Sequence, residues 1–92
     1  MPEVWIPTRL RSLTAGQQRV RVPGKTLRQV VNNLEREFPG MKAYLCDESG
    51  EDIMPGLAVV IDEQTDDSMG LLQPVEEDSE IHFVPAIGGG AA

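Results

Sequence analysis

The chain has 92 residues, a net charge of −7 at pH 7 and a single cysteine, Cys46. This length predicts one small domain with one thin core. The acidic balance argues against nucleic acid, whose phosphates require basic patches, and against anionic membrane surfaces. It favours solubility or a basic protein partner.

Features of the sequence also bear on location. One cysteine cannot form an internal disulfide, and the first residues lack the charged and then apolar pattern of a signal peptide. No apolar run approaches the roughly 20 residues of a membrane helix. We therefore expect a cytoplasmic protein that does not enter a membrane.

Two alternating segments begin the chain. Residues 4–10 alternate apolar and polar side chains, as a β-strand does, and Pro7 implies an edge position or a bulge because it lacks a backbone donor. Residues 19–22 alternate cleanly after a turn at residues 14–16. Together they predict an antiparallel hairpin.

A helix is predicted next, over residues 26–38. The spacing Thr26-x-x-Gln29 fits a capping box, and Pro39-Gly40 ends the pattern. Apolar side chains then recur at the spacing of one helical face: Leu27, Val30, Val31, Leu34 and Phe38.

Further strands complete the predicted fold. Residues 57–61 form a continuous apolar run, typical of a central strand buried on both faces, and residues 71–72 predict a short strand or turn. Residues 81–85 alternate as a final strand, with Ile81 and Phe83 on one face and His82 and Val84 on the other. We expect His82 to face solvent or a partner, whereas Val84 faces either a partner or a second buried side of the sheet. This order predicts an α+β fold of the β-grasp, or ubiquitin-like, class, in which a mixed sheet packs on one main helix. The predicted core is Leu27, Val30, Val31, Leu34, Val59, Ile61, Ile81 and Phe83.

The chain offers few groups for catalysis. His82 is the single histidine and has no second His or Cys at ligand spacing, so we predict no metal site. Residues 62–67 resemble the start of a calcium loop but lack its sixth-position glycine, and residue 73 is Gln where the loop requires Glu. We expect Cys46 to be a buried or idle thiol. The chain therefore lacks the parts of a self-sufficient enzyme.

Glycines follow the last strand. Gly88, Gly89 and Gly90 precede Ala91 and Ala92, which predicts a β-grasp domain over residues 1–87 and a flexible tail over 88–92. Glycine has no Cβ, so such a tail can thread a narrow channel. The alternative is an ordinary frayed terminus.

Three stretches carry a resemblance to a known family. They are residues 6–11, residues 24–27 leading into 34–35, and residues 83–90 with their Pro-Ala-x-x-Gly-Gly ending. The chain resembles the ubiquitin-like sulfur carriers of the MoaD/ThiS superfamily, and among them most the sulfur carrier of the cysteine-synthase pathway.

The resemblance implies a defined chemistry for the tail. An activating enzyme would use ATP and magnesium to adenylate the carboxylate of Gly90, which follows Gly89, and a sulfur nucleophile would convert it to a thiocarboxylate. That group would donate sulfur to a synthase, and the carrier itself would bind no cofactor. Partner contacts would come from Val84, Pro85, Ile87 and Gly88.

The tail departs from the family pattern at its end. Such carriers usually end on the second glycine, whereas here Ala91 and Ala92 follow Gly90. The resemblance therefore implies that a peptidase, for which a metal-dependent enzyme is one candidate, removes both alanines; the alternatives are that the tail is inert or that the alanines are an engineered addition. Three other functions stay open: the small subunit of molybdopterin synthase, a protein modifier joined to lysines through Gly90, and a plain interaction module.

Overall fold

A computed structural model describes residues 1–64 and 69–85 of the chain. The strands are β1 Glu3–Trp5, β2 Arg19–Arg21, β3 Leu57–Ile61 and β4 Glu80–Pro85. The helices are α1 Leu27–Glu37 and α2 Lys42–Leu45, with 3₁₀ turns at Thr8–Thr14 and Gly70–Leu72. Within these ranges no helix is long and apolar enough to cross a membrane.

The four strands form one mixed sheet in the order β2-β1-β4-β3. β1 runs antiparallel to β2 and parallel to β4, while β3 pairs antiparallel with β4. The N-terminal and C-terminal strands therefore lie side by side at the sheet centre. With α1 packed on one face, this arrangement confirms the predicted β-grasp fold.

The main helix matches its prediction closely. Thr26 is the N-cap residue, and its Oγ1 accepts a hydrogen bond of 3.3 Å from the backbone N–H of Gln29. The Gln29 side chain accepts in return from the N–H of Lys25 at 2.8 Å, one residue before the cap. α1 ends at Glu37, with Phe38 as its C-cap.

The core lies between α1 and the sheet. All eight predicted core residues are buried, and Leu34 is fully inaccessible to solvent. The outward alternation of β4 is also confirmed, because Ile81 and Phe83 are buried while His82 and Val84 are only partly so.

The first strand is shorter than predicted and is not at an edge. β1 ends at Trp5, and Pro7 caps a 3₁₀ turn in which its carbonyl accepts from the N–H of Leu10 at 2.9 Å. Pro7 therefore takes no part in the hydrogen bonding between strands, and the prediction that it marks an edge strand or a bulge is wrong. Ile6 and Leu10 still enter the core, since the turn returns them to the buried side.

The prediction for the third strand is also wrong in its position. In the described sheet β3 is an edge strand and not a central one. Its apolar run has a different origin, because Val59 and Ile61 face the core while Ala58 and Val60 sit on the outer face. There they pair with partly buried positions of β4. Side chains on both faces of β3 are therefore at least partly buried, which favours apolar residues along the whole strand.

A short second helix, α2, was not predicted. The carboxylate of Glu35 joins it to α1, accepting from the N–H of Gly40 at 3.1 Å and from that of Lys42 at 2.8 Å. These bonds, with the Gly40 bond the larger cause, lower the pKa of Glu35. Because α2 carries Tyr44 and Leu45, Glu35 fixes where these two side chains lie.

Replacing Leu34 with alanine tests the core. We expect Leu34→Ala to lower the free energy of unfolding by about 2–5 kcal/mol, because it removes a fully buried side chain and leaves a cavity. Arg36→Ala, on the exposed side of the same helix, should change it by no more than about 0.5 kcal/mol. Urea unfolding followed by circular dichroism measures both, and similar values for the two variants would contradict the packing.

Replacing Glu35 with glutamine tests the link to α2. A lowered pKa means that ionised Glu35 stabilises the fold above its ordinary value of 4.5, and that this contribution is lost as pH falls through the folded-state pKa. At pH 7 we expect Glu35→Gln to cost at most about 1 kcal/mol, since solvent screens the site. The difference from the parent should shrink below pH 4.5.

Glu37→Gln is the matched control, because Glu37 is exposed in the same helical turn. Urea titrations between pH 3 and 7 measure the three proteins. An equal effect of the two substitutions, or a difference that grows toward acid, would contradict the assignment.

Candidate docking groove at the base of the C-terminal segment

The described chain ends on β4, at the point where the glycine segment begins. Val84 pairs with Ala58 and Pro85 pairs with Leu57, so β4 stays in the sheet up to its last residue. The remaining predicted site residues lie outside the described residues: Ile87, Gly88, Gly89, Gly90, Ala91 and Ala92. The predicted boundary between residues 87 and 88 and the predicted flexibility of the tail lie there too, and both stay predictions.

A groove of about 660 Å³ opens beside the end of β4. It is lined by residues 5–11, 44–45, 56–57 and 82–85, and we call it the tail-base groove. Segments far apart in sequence meet here because β1 and β4 are parallel neighbours whose carboxyl ends reach the same edge of the sheet. The groove therefore adjoins any segment that leaves Pro85.

Apolar side chains form much of the groove wall. Leu10, Leu45 and Phe83 are buried beneath it, while Val84 is half-buried and Tyr44 is 51% exposed. Val84 and Pro85, which the sequence assigned to partner contact, line it together. The structure thus joins two predicted site residues in one concave surface with an apolar floor.

The charged side chains that the structure describes in the groove are basic. Arg9 and Arg11 line it together with His82, and no Asp or Glu among the described residues does. Arg11 is held by a bond of 3.2 Å from its Nε to the carbonyl of Ile6. Arg9 is exposed, and in residues 1–64 and 69–85 neither arginine forms an ion pair. The acidic surface expected for partner contact does not line this groove.

An aromatic stack forms the outer wall of the groove. The rings of Trp5 and His82 lie 5.1 Å apart and 13° from parallel, on neighbouring strands in direct register. Arg19 lies on β2, the neighbour of β1 on its other side, and its guanidinium is 5.2 Å from the centre of the Trp5 ring. The indole Nε1 of Trp5 is buried and has no hydrogen-bond partner in residues 1–64 and 69–85. His82 thus lies on the outer face as predicted.

Sequence reasoning missed several groove residues: Trp5, Arg9, Arg11 and Tyr44. One signal was available, since Trp5 occupies an outward position of the alternation, between the inward Val4 and Ile6. A large apolar ring on the polar face of a strand is typical of a contact surface. No comparable local signal marks the arginines, which reach the groove only because the 3₁₀ turn replaces the predicted strand.

Other candidate groups have structural roles. Cys46 is only 2% exposed, and burial raises the pKa of its thiol despite the nearby charges of Lys42 and Arg28. This confirms the prediction of a buried cysteine. Asp62 accepts from Ser79 Oγ at 2.7 Å and from the Glu80 N–H at 2.8 Å, so it joins β3 to β4.

Metal ligands are not grouped in the described parts of the chain. There, no cluster of three or more His, Cys, Asp or Glu side chains is arranged to hold an ion.

Comparison with known proteins identifies the family. The family model described as ThiS family matches residues 4–90. The chain belongs to the ThiS family. This assignment confirms the resemblance to ubiquitin-like sulfur carriers that the sequence indicated.

Sequence and structure comparisons point to the same relatives within the family. The chain is 34% identical over 89 residues to the sulfur carrier protein CysO of Mycobacterium tuberculosis, covering 95% of this chain and 96% of the relative. A crystal structure of CysO from that species matches with a TM-score of 0.84 at 26% identity, covering 94% of this chain and 99% of that one.

Two further solved structures define how far the fold extends. A chain of the BexX/CysO complex of Amycolatopsis orientalis matches with a TM-score of 0.86 at 30% identity, over 98% of this chain and 100% of that one. The small archaeal modifier protein 1 of Methanosarcina acetivorans matches with a TM-score of 0.76 over 97% of this chain and 95% of that one, at only 20% identity. The latter shows the shared fold alone.

A double-mutant cycle tests the aromatic wall of this ThiS-family protein. We expect Trp5→Leu and His82→Ala to show a coupling energy of about 0.5–1.5 kcal/mol in unfolding free energy, because the two rings stack. The control cycle combines Trp5→Leu with Arg36→Ala, on the opposite side of the molecule's core, and should be additive within about 0.5 kcal/mol. Additivity in both cycles would contradict the stack.

Proposed function

We propose that this chain is a sulfur carrier that holds sulfur as a thiocarboxylate on Gly90 and donates it in the biosynthesis of cysteine or a related metabolite. The observation that carries the proposal is the extent of the family match, which runs to Gly90 and leaves Ala91 and Ala92 outside it. The CysO relatives, which are named as sulfur carriers and match nearly end to end, support the same role.

The proposed chemistry proceeds in two steps on a partner enzyme. The Gly90 carboxylate attacks the α-phosphorus of ATP, pyrophosphate leaves, and an acyl-adenylate forms, with magnesium offsetting phosphate charge. Sulfide then attacks the acyl carbon, a carbon–sulfur bond forms, and AMP leaves. The carrier ends with a thiocarboxylate and acts throughout as a protein co-substrate and not as an enzyme.

The position of β4 suits this role. Five residues separate Pro85 from the proposed reactive atom of Gly90, and fully extended they span about 17 Å. Glycine at positions 88–90 lets the segment pass through a channel too narrow for a Cβ. Because β4 is held between β1 and β3, the rigid domain supplies a firm base for that reach.

Removal of the two alanines is part of the proposal. A carboxylate on Gly90 exists only after the peptide bond to Ala91 is cleaved, so a peptidase must act before the adenylating enzyme. A synthase that takes the sulfur is the third partner. The expected partners are therefore these three enzymes.

Intact-mass spectrometry tests this function. We expect a chain truncated after Gly90 to gain the mass of one sulfur in place of one oxygen when incubated with the adenylating enzyme, ATP and a sulfide source. The gain should disappear without ATP, because the carboxylate must first be activated. The full sequence ending in Ala92 should stay unchanged until the peptidase is added.

Gly90→Val in the truncated chain is the matched variant. Its Cβ branch should block the step without altering unfolding by heat, because residue 90 follows the last core strand. Failure of the truncated parent to gain sulfur, or an equal gain by the chain ending in Ala92, would contradict the proposal.

A further inference from the structure

Charge is divided unevenly along this acidic chain. Residues 1–34 contain six basic side chains and a single acidic one, Glu3, whereas residues 35–92 contain two basic and fourteen acidic ones. These counts give +5 and −12, which sum to the net charge of −7. The overall charge therefore does not describe the surface that the first 34 residues contribute.

The fold brings part of the basic segment to the base of the tail. Arg9 and Arg11 line the tail-base groove, and Arg19 lies over Trp5, which lines it too. Glu3 does not line the groove, and its carboxylate lies 3.9 Å from Arg19 and 3.7 Å from Arg21. The result is an apolar groove whose charged side chains, within the described part of the chain, are all basic, on a protein with a net charge of −7.

The two groove arginines differ in how they are held. Arg11 is fixed through its Nε, so its terminal nitrogens remain as donors, whereas Arg9 is exposed with no side-chain bond to any described residue. Guanidinium groups favour carboxylates, with which they form paired hydrogen bonds. The apolar floor beside them favours an apolar side chain at the same place.

We propose that the tail-base groove is the docking site for an acidic segment of the adenylating enzyme, in which Asp or Glu side chains flank an apolar residue at the mouth of the channel that receives the tail. This proposal rests on the proposed function, and it names the surface and the chemistry of the partner. An enzyme that acts on Gly90 has its active site within about 17 Å of Pro85, so the groove beside Pro85 is among the surfaces of the carrier closest to it.

A charge reversal in the groove tests the docking proposal. In the chain truncated after Gly90, Arg9→Glu should lower kcat/KM for ATP-dependent pyrophosphate release by roughly fivefold to tenfold at low salt, because it replaces attraction by repulsion. The value of kcat should change little, since the proposal gives Arg9 a role in docking and none in the reaction at Gly90. Raising the salt concentration should reduce the difference from the parent.

Arg28→Glu is the matched control. It makes the same change of net charge, from −7 to −9 in the full sequence, on the exposed side of α1 outside the groove. We expect kcat/KM for this variant to stay within about twofold of the parent, because Arg28 does not line the groove and salt screens an exposed charge outside it. Arg11→Gln, which keeps a donor for the Ile6 carbonyl, should weaken kcat/KM in the same direction as Arg9→Glu.

Distinct results would overturn the proposal. Equal losses for Arg9→Glu and Arg28→Glu would show that only net charge matters, and a faster reaction for Arg9→Glu would show that the partner surface is basic.

Two measurements on the free carrier test for other occupants of the groove. If the tail of the same chain filled it, Arg9→Glu would shift the NMR amide signals of residues 88–90. If a second copy of the chain filled it, Arg9→Glu would convert dimers to monomers, which a measurement of molecular mass in solution detects. Absence of pyrophosphate release with the parent would instead contradict the proposed function, and the docking proposal would fall with it.

Discussion

The parallel pairing of β1 with β4 determines most of what this protein can do. It places the first and last strands together at the centre of the sheet, with Val4 opposite Ile81 and Trp5 opposite His82. Because the two strands run in the same direction, their carboxyl ends, Trp5 and Pro85, lie at the same end of the sheet. The proposed reactive segment thus follows a central strand, next to a groove to which residues 5–11 of the first half of the chain contribute.

Sequence patterns predicted the parts of the fold that local physics controls. The helix over α1 was predicted because apolar spacing and the Thr26 cap act within one or two turns. Strand order depends on contacts between distant segments, so the run of β3 was mistaken for a central strand. The 3₁₀ turn at Thr8–Thr14 escaped detection because Ile6 and Leu10 are buried there just as they would be in a strand.

The candidate site likewise combines features that are local in sequence with features that depend on contacts between distant segments. The glycine ending could be proposed from sequence because it is a run of consecutive residues, and the outward position of Val84 followed from the alternation of the last strand. The groove was not readable, because it needs Trp5, Arg9 and Tyr44 to meet at the end of β4. Net charge gave no indication of the groove, because it averages over a chain whose first 34 residues are basic and whose remainder is acidic.

The proposed docking requires that partners approach the end of the sheet at which β4 terminates. Amide chemical-shift mapping of the isotope-labelled carrier, truncated after Gly90 and titrated with unlabelled adenylating enzyme, tests this most directly. We predict that shifts and line broadening concentrate in residues 5–11, 44–45, 56–57 and 82–85, with little change on the exposed side of α1. Changes centred instead on α1 or on the acidic loop at residues 47–52, with the groove unaffected, would contradict the account.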